Sequence, residues 1–138
     1  MAARLITADT SVVVPGLGTW HEAHGTCVPA LRDVTRLPGH VLLESTAVLT
    51  RLPGGRAVSA ADVVDVLATE FPGEPLCLSP SEHLDLLAEF ARVRLVGGAV
   101  YDAVVGVSAR RAGALLRTRD KRASRTYAVL GVDVEMVG

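Results

Sequence analysis

Five short apolar runs occur along the chain, and three of them end at or just before an acidic residue. The runs cover residues 5–8, 40–43, 76–78, 114–118 and 132–137. Continuous apolar runs of this length are typical of strands buried on both faces of a parallel sheet, although period alone does not distinguish them from helix. The segments between the runs have helical patterns, and this alternation favours interpreting the runs as about five mainly parallel strands.

Longer helical patterns separate these runs. They cover residues 20–34, 45–52, 59–71, 79–93 and 99–112. The fourth pattern has a clear start, because Ser79, Pro80 and Glu82 stand at the spacing of an N-cap, a first-turn proline and a capping box. Alternation of strand and helix predicts an α/β fold, a doubly wound sheet flanked by helices.

Length and composition limit what the chain is. Its 138 residues, 49% of them hydrophobic, suffice for one domain, residues 1–138, with a substantial core. The net charge is −1, and the two cysteines form no CxxC motif, so neither a redox pair nor a zinc knuckle is predicted. No signal peptide and no membrane-spanning stretch is recognisable, so we expect a cytoplasmic protein with no membrane partner.

Four acidic residues are the strongest candidates for a functional site. Asp9, Glu44 and Asp120 follow predicted strands, and Asp102 lies near the start of the helix before the fourth strand. In open α/β sheets, ligands bind beyond the carboxyl ends of the strands. The acids stand in apolar surroundings with no neighbouring cation beside Asp9, Glu44 or Asp102 in sequence, so mutual repulsion is expected to raise one or more pKa values.

A divalent ion would relieve that repulsion. Oxygen ligands favour Mg²⁺, with Mn²⁺ as a substitute, because no Cys or His joins the acidic set. Mg²⁺ takes one or two carboxylates directly and leaves others to hold or deprotonate a water. Such a site has the equipment for hydrolysing a phosphodiester.

The four acidic segments resemble those of PIN-domain ribonucleases, most closely the VapC-like toxins of bacterial toxin–antitoxin operons. The resemblance rests on Asp9-Thr10-Ser11, Leu43-Glu44-Ser45, Tyr101-Asp102-Ala103 and Thr118-Arg119-Asp120-Lys121-Arg122. It implies a PIN-like fold and a Mg²⁺-dependent endoribonuclease. By the same resemblance Asp9 and Asp102 would be the main metal ligands, and Glu44 and Asp120 would complete the catalytic cluster.

The resemblance also implies partners. Members of this family are usually homodimers, silenced by a small VapB-like antitoxin whose C-terminal segment enters the active-site groove. The implied substrate is structured RNA of the tRNA or rRNA class. One departure concerns the first helix, because Pro15-Gly16-Leu17-Gly18 follows Val12-Val13-Val14 and should break it.

Other residues near the acids have candidate roles. The hydroxyls of Thr10, Ser11 and Thr118 could position a metal-bound water, or could be ordinary cap and turn residues. Between Arg92 and Arg125 nine basic residues face only two acidic ones, a local excess of positive charge. The basic residues nearest Asp120 are predicted to bind RNA phosphates, with a solvated basic surface as the alternative: Arg117, Arg119, Lys121, Arg122 and Arg125.

Two further patterns give weaker indications. His21 and His24 are three residues apart, not the four of a zinc-protease helix, so we expect a solvated helix face, with His24 lining a groove as the alternative. Aromatic residues make up only 4% of the chain, so extensive base stacking is not predicted, and recognition should depend on RNA backbone and shape.

Several other functions compete with this interpretation. A phosphate-receiver domain needs an acidic pair after the first strand and an Asp after the third, where this chain has Leu78-Ser79-Pro80. A haloacid-dehalogenase-type phosphatase needs DxD, and Asp9-Thr10-Ser11 lacks it. A degenerate, non-catalytic PIN-like binding module and a DNA-directed metal nuclease stay open as alternatives.

Overall fold

The first apolar run folds as a strand that leads directly into a helix. In the computed structural model, which describes residues 3–138, Ile6–Ala8 forms β1 and Thr10–Leu17 forms α1. Asp9 lies between them, and its side chain accepts a hydrogen bond from the backbone N–H of Ser11. A carboxylate at this position satisfies a free N–H of the first turn and therefore fixes where the helix begins.

The rest of the described chain supplies six more helices and two more strands. The helices are α2 (His24–Leu31), α3 (Gly39–Thr50), α4 (Ala60–Glu70), α5 (Pro80–Val93), α6 (Ala99–Arg111) and α7 (Lys121–Val129). The strands are β2 (Leu115–Thr118) and β3 (Val134–Met136). They pair in the order β1-β2-β3, all parallel, with Ile6 opposite Leu115 and Leu116 opposite Val134. The predicted α/β class with a parallel, helix-flanked sheet is confirmed.

Two of the five predicted strands are wrong within residues 3–138, where the sheet has three. Residues 40–43 belong to α3, because Val41, Ser45 and Leu49 recur at four-residue spacing and are all buried. This run was too short for its period to separate helix from strand. Residues 76–78 contribute only one isolated parallel bridge, between Leu76 and Pro38.

The predicted break of the first helix at Pro15 is also wrong. Helix α1 continues through Pro15 to Leu17, and the N–H of Gly18 bonds to the carbonyl of Val14. Proline removes one N–H donor and leaves the carbonyl four residues earlier, that of Ser11, without its helical partner. The Arg119 side chain compensates in part, since its Nη1 lies 3.5 Å from that carbonyl oxygen.

The other helix predictions differ in accuracy. The patterns at 59–71, 79–93 and 99–112 match α4, α5 and α6 within two residues at each end, and the Ser79 capping box is present. The pattern at 20–34 gives only the shorter α2. Helix α7 was not predicted, because most of its residues are polar, although Ala123, Thr126 and Tyr127 recur on one face and are buried.

A tight contact between α6 and α7 sets the position of the last helix. Tyr127 of α7 is 1% exposed and packs against Gly106 of α6. A Cβ at Gly106 would lie 2.7 Å from Cδ1 of Tyr127, so only glycine permits this approach. No helix in the described part of the chain has the length and apolar character needed to cross a bilayer.

Candidate active site

All four acidic residues singled out in the sequence line one groove. Its cavity measures about 340 Å³ and lies where the carboxyl ends of β1 and β2 meet α3 and α6. The acidic residues that line it are Asp9, Glu44, Asp102 and Asp120. The fold therefore brings together carboxylates from four separate segments, two beyond strand ends and two on helices.

Asp9 is the most enclosed of the four. It is 5% exposed, and its Oδ1 accepts hydrogen bonds from the Ser11 backbone N–H at 3.0 Å and the Ser11 hydroxyl at 2.5 Å. Its other oxygen, Oδ2, accepts from the Tyr127 hydroxyl at 2.8 Å. Both carboxylate oxygens are therefore held in fixed directions.

Tyr127 is a site residue that sequence reasoning missed. Burial, followed by the negative charge of Asp9, raises the pKa of the Tyr127 hydroxyl, so this group stays protonated and donates. Its partner lies 118 residues away in the chain. No local pattern connects the two, although Gly106, which makes room for the ring, was visible as a glycine within a helical pattern.

Asp120 combines a groove position with a structural role. It is the N-cap of α7, and its Oδ1 accepts from the backbone N–H of Ala123 at 3.0 Å. Its own backbone N–H donates to Oγ1 of Thr118 at 3.1 Å. One of its carboxylate oxygens is thus committed to the fold.

Glu44 and Asp102 stand on helices across the groove and are less constrained. Glu44 lies in the middle of α3, and the His40 ring lies beside it, with Nε2 4.0 Å from Oε2 of Glu44. Asp102 lies in the first turn of α6, with Oδ2 3.8 Å from Nη2 of Arg122. A cation does neighbour Asp102 in the fold, although none does in the sequence.

The pKa of Asp102 depends on the other three carboxylates as well as on burial. Burial raises the pKa of Asp102, the Arg122 guanidinium opposes this, and the charges of Asp120, Glu44 and Asp9 raise it again. Burial also raises the pKa of Asp9, against the effect of its hydrogen bonds from Ser11 and Tyr127. The predicted repulsion therefore acts on Asp102, where burial raises the pKa more than repulsion does.

The three candidate hydroxyls differ in their availability. Ser11 donates to Asp9 and accepts from the Arg119 backbone N–H at 2.8 Å, so its hydroxyl is committed. Thr118 accepts from Asp120 and lies 3.3 Å from the Ser11 hydroxyl. The buried Oγ1 of Thr10 has no hydrogen-bond partner among residues 3–138. Thr10 is therefore the hydroxyl that can serve a bound ligand.

The groove fits a hard cation by its chemistry but is not a closed ligand cage. Among residues 3–138, no three His, Cys, Asp or Glu side chains lie close enough together to hold one ion directly. Mg²⁺ needs few direct ligands, since it usually keeps several waters and takes one or two carboxylates. Four carboxylates and the partnerless hydroxyl of Thr10 supply oxygen atoms of the right kind around that space.

The basic residues divide between the groove and other surfaces. Arg119 and Arg122 line the groove. Arg117 does not, because its guanidinium pairs with Asp33 at 2.6 Å and Glu135 at 2.8 Å. Arg117 is therefore engaged within the fold, and we do not propose it as an RNA contact. Two others are exposed but lie outside the groove lining: Lys121 and Arg125.

The histidine pair also separates. His21 lines the groove, whereas the ring of His24 lies 2.9 Å, through Nδ1, from the carbonyl oxygen of Pro15. The alternative that His24 lines the groove is therefore wrong, since its ring holds the end of α1 instead. His40 also lines the groove, although sequence reasoning had placed it in a strand.

Comparison with known proteins gives consistent matches over most of the chain. The family model "PIN domain" matches residues 6–129. Ribonuclease VapC40 of Mycobacterium tuberculosis is 42% identical over 133 residues, which cover 96% of this chain and 99% of that protein. Ribonuclease VapC27 of the same organism is also 42% identical, over 134 residues and 94% of each chain. Both relatives carry the name ribonuclease.

Proposed function

The chain belongs to the PIN-domain family, and from that membership we propose that it is a Mg²⁺-dependent endoribonuclease, the toxin of a type II toxin–antitoxin pair. The observation that carries the proposal is the convergence of Asp9, Glu44, Asp102 and Asp120 on one groove, where the other three acids raise the pKa of Asp102. The names of the two relatives support the ribonuclease activity. The same names support a VapB-like antitoxin as the partner.

Asp9 and Asp102 are the proposed metal ligands. They are the two acids whose pKa burial raises, so a cation nearby would stabilise both in the charged form. When bound, Mg²⁺ supplies a water of lowered pKa and a positive charge beside the phosphate. Mn²⁺ has similar oxygen-ligand chemistry and should substitute for it.

Glu44 and Asp120 are the proposed groups that receive the proton of the attacking water. Asp120 commits Oδ1 to the cap of α7, and its Oδ2 makes no hydrogen bond within residues 3–138. Glu44 likewise has carboxylate oxygens free of hydrogen bonds in the described chain, beyond its 4.0 Å contact with His40. A general base needs such an unoccupied oxygen within reach of the proton it accepts.

Arg119 and Arg122 are the proposed contacts to RNA phosphates. Both line the groove, and the Arg122 side chain is 72% exposed. Phosphate contacts supply much of the affinity for nucleic acid and orient the backbone. We propose structured RNA of the tRNA or rRNA class as the substrate, and a homodimer as the active form.

The acidic groove also suits inhibition by a cation from the antitoxin. Arg122 already approaches Asp102 to 3.8 Å, so the groove accepts a guanidinium within one chain. An Arg or Lys of a VapB-like partner would form stronger, charge-assisted contacts in the more enclosed part near Asp9. Such a residue would occupy the place of the metal and stop cleavage.

The decisive experiment is a cleavage assay with matched carboxylate variants. Purified wild-type protein should cut structured RNA with Mg²⁺ or Mn²⁺ and stop with EDTA. Asp102→Asn should lose about a hundredfold or more in rate, the scale of removing one charged or polar catalytic group. Asp65→Asn, which changes an exposed acid on α4 outside the groove, should cleave like wild type.

Each contrary result would contradict a different part of the proposed function. Undiminished cleavage in EDTA would contradict the metal mechanism. Equal rates for Asp102→Asn and Asp65→Asn would contradict the site assignment. Cleavage of single-stranded DNA at the rate of RNA would favour a DNA-directed nuclease, and RNA binding without cleavage would favour a non-catalytic module.

A further inference from the structure

Two aromatic rings stack at the edge of the acidic groove. His40 of α3 and Tyr101 of α6 have ring centroids 5.4 Å apart and planes inclined by only 6°. Both residues line the same groove as the four acids. The pair therefore spans the two helices that form one side of the groove.

The stacked pair has a fixed relation to the carboxylates. Tyr101 immediately precedes Asp102, and His40 lies one helical turn before Glu44, with Nε2 and Oε2 4.0 Å apart. Whatever binds beside Asp102 and Glu44 must also lie beside this ring pair. The aromatic surface therefore lies beside two of the carboxylates of the proposed catalytic cluster.

Core packing does not account for the Tyr101 ring. The residue is 58% exposed, whereas Tyr127 on α7 is 1% exposed and donates its hydroxyl to Asp9. The Tyr101 hydroxyl makes no hydrogen bond within the described chain. Trp20, another exposed aromatic, lies outside the groove lining and packs against the Arg56 guanidinium at 5.6 Å.

We propose that the exposed face of Tyr101, supported by His40, stacks on the base of one unpaired RNA nucleotide next to the scissile phosphate. The inference rests on the proposed ribonuclease function and adds a nucleobase subsite to it. Aromatic rings bind bases in this way because every base has a π face, and proteins that recognise RNA loops use such contacts.

The charge distribution favours a base at this position over a phosphate. Glu44 and Asp102 flank the ring pair, so a negatively charged group is repelled there unless a metal is bound. Arg119 and Arg122 also line the groove and are available to the phosphates. A nucleotide can therefore direct its phosphate toward these cations while its neutral base covers Tyr101.

The test compares two variants of Tyr101 on a set of RNA substrates. Tyr101→Phe retains the ring, and Tyr101→Leu retains an apolar side chain of similar bulk without the ring. The substrates are one structured RNA and copies of it in which each nucleotide around the cleavage position is abasic in turn. Leu84→Ala, an exposed apolar change on α5, is the control.

We expect Tyr101→Leu to raise KM about tenfold with little change in kcat, the scale of one lost base–aromatic stack. Tyr101→Phe and Leu84→Ala should stay within about twofold of wild type, since neither removes the stack. One abasic position should raise the wild-type KM by a similar factor. On that substrate Tyr101→Leu should have no further effect, because the stack is already lost.

Two results would overturn the inference while leaving the ribonuclease function intact. One is an unchanged KM for Tyr101→Leu on the intact RNA. The other is an equal rise in KM caused by Tyr101→Leu on every abasic substrate. That result would assign Tyr101 only a role in packing α6 against α3. Absence of RNA cleavage by the wild-type protein would instead contradict the proposed function, and the subsite with it.

Discussion

The two walls of the groove are built differently. One wall, here the strand wall, comprises Asp9 and Asp120, which follow β1 and β2, cap α1 and α7, and accept hydrogen bonds from backbone N–H groups. The other, the helix wall, comprises Glu44 on α3 and Asp102 on α6. The His40 ring lies 4.0 Å from Glu44, and the Arg122 guanidinium lies 3.8 Å from Asp102. The carboxylates of the strand wall therefore line the groove and also hold helix ends in place. Those of the helix wall make no hydrogen bonds to the backbone of the described residues, so their oxygens are available to a ligand.

The difference has a physical origin. A residue at a strand end that also starts a helix faces several free N–H groups of the first turn, and a carboxylate there satisfies them. A residue within a helix has no such donors beside it, because the backbone groups bond to one another. Side chains on the helix wall must find partners across the groove or in the solvent.

Removing one tyrosine hydroxyl beside each wall should separate the roles of the two walls most clearly. Tyr127→Phe leaves Oδ2 of the buried Asp9 without its donor, so we expect a loss of about 1–3 kcal/mol in the free energy of unfolding. Tyr101→Phe removes a hydroxyl with no partner in the described chain and should change stability by less than about 0.5 kcal/mol. Urea unfolding in EDTA measures both.

The same two variants should also differ in their affinity for Mg²⁺. Loss of an orienting partner of a ligand typically weakens metal affinity about 10–100-fold, so Tyr127→Phe should reduce Mg²⁺ affinity in a calorimetric titration. Tyr101→Phe should bind Mg²⁺ like wild type. Equal affinities for the two variants would mean that the Tyr127 hydroxyl supports only the fold and not the ligand geometry of Asp9.

Replacing one carboxylate of each wall by alanine provides a second comparison, because only the strand wall caps helices. Asp120→Ala removes the N-cap of α7 and should cost about 1 kcal/mol. Glu44→Ala, on the helix wall, should stay within about 0.5 kcal/mol of wild type. Asp120→Asn retains the cap and should restore most of the stability, which separates loss of the cap from loss of charge. Equal costs for Asp120→Ala and Glu44→Ala would remove the distinction between the walls.

The strand wall was largely predictable from the sequence, and the helix wall was predictable only in part. Asp9 and Asp120 follow apolar runs that do form strands, so their meeting at one sheet edge follows from parallel pairing. Glu44 was placed correctly for a wrong reason, because the run before it belongs to α3. It reaches the groove because α3 packs beside α1 and α6.

Contacts between distant segments account for what the sequence did not reveal. The hydrogen bond from Tyr127 to Asp9, the approach of Arg122 to Asp102 and the stacking of His40 on Tyr101 all depend on how helices cross. None of these pairs has a characteristic spacing. Arg117 shows the converse, since its place in a basic segment indicated RNA, whereas the fold pairs it with two acids.

Salt dependence should distinguish groove cations from structural ones. Arg122→Gln removes a largely exposed charge beside the helix wall, so the slope of the logarithm of RNA affinity against the logarithm of salt concentration should flatten by about one charge. Arg117→Gln should leave this slope unchanged, because its guanidinium is bound to Asp33 and Glu135. Filter binding at several salt concentrations, in EDTA, measures both slopes. If Arg117→Gln flattened the slope as much as Arg122→Gln, RNA would also contact the surface around Arg117.

The smallest expected effect is the pH dependence of stability at the helix wall. Burial and the charges of the other acids raise the pKa of Asp102 in the folded protein above its unfolded value of about 4. Folding therefore favours the protonated carboxyl. Its contribution to stability is fully present below the unfolded pKa and is lost as pH rises through the folded pKa.

Asp102→Asn cannot lose a proton, so its stability relative to wild type should increase as pH rises across that window in the absence of Mg²⁺. The increase should be small, because the Arg122 guanidinium opposes the effect of burial and of the other acids on the pKa of Asp102. Melting temperatures in EDTA at several pH values measure this difference in stability. The control is Asp65→Asn, whose stability relative to wild type should not change with pH. A decrease for Asp102→Asn would mean that the ion pair with Arg122 outweighs burial and repulsion, and that Asp102 stabilises the fold in its charged form.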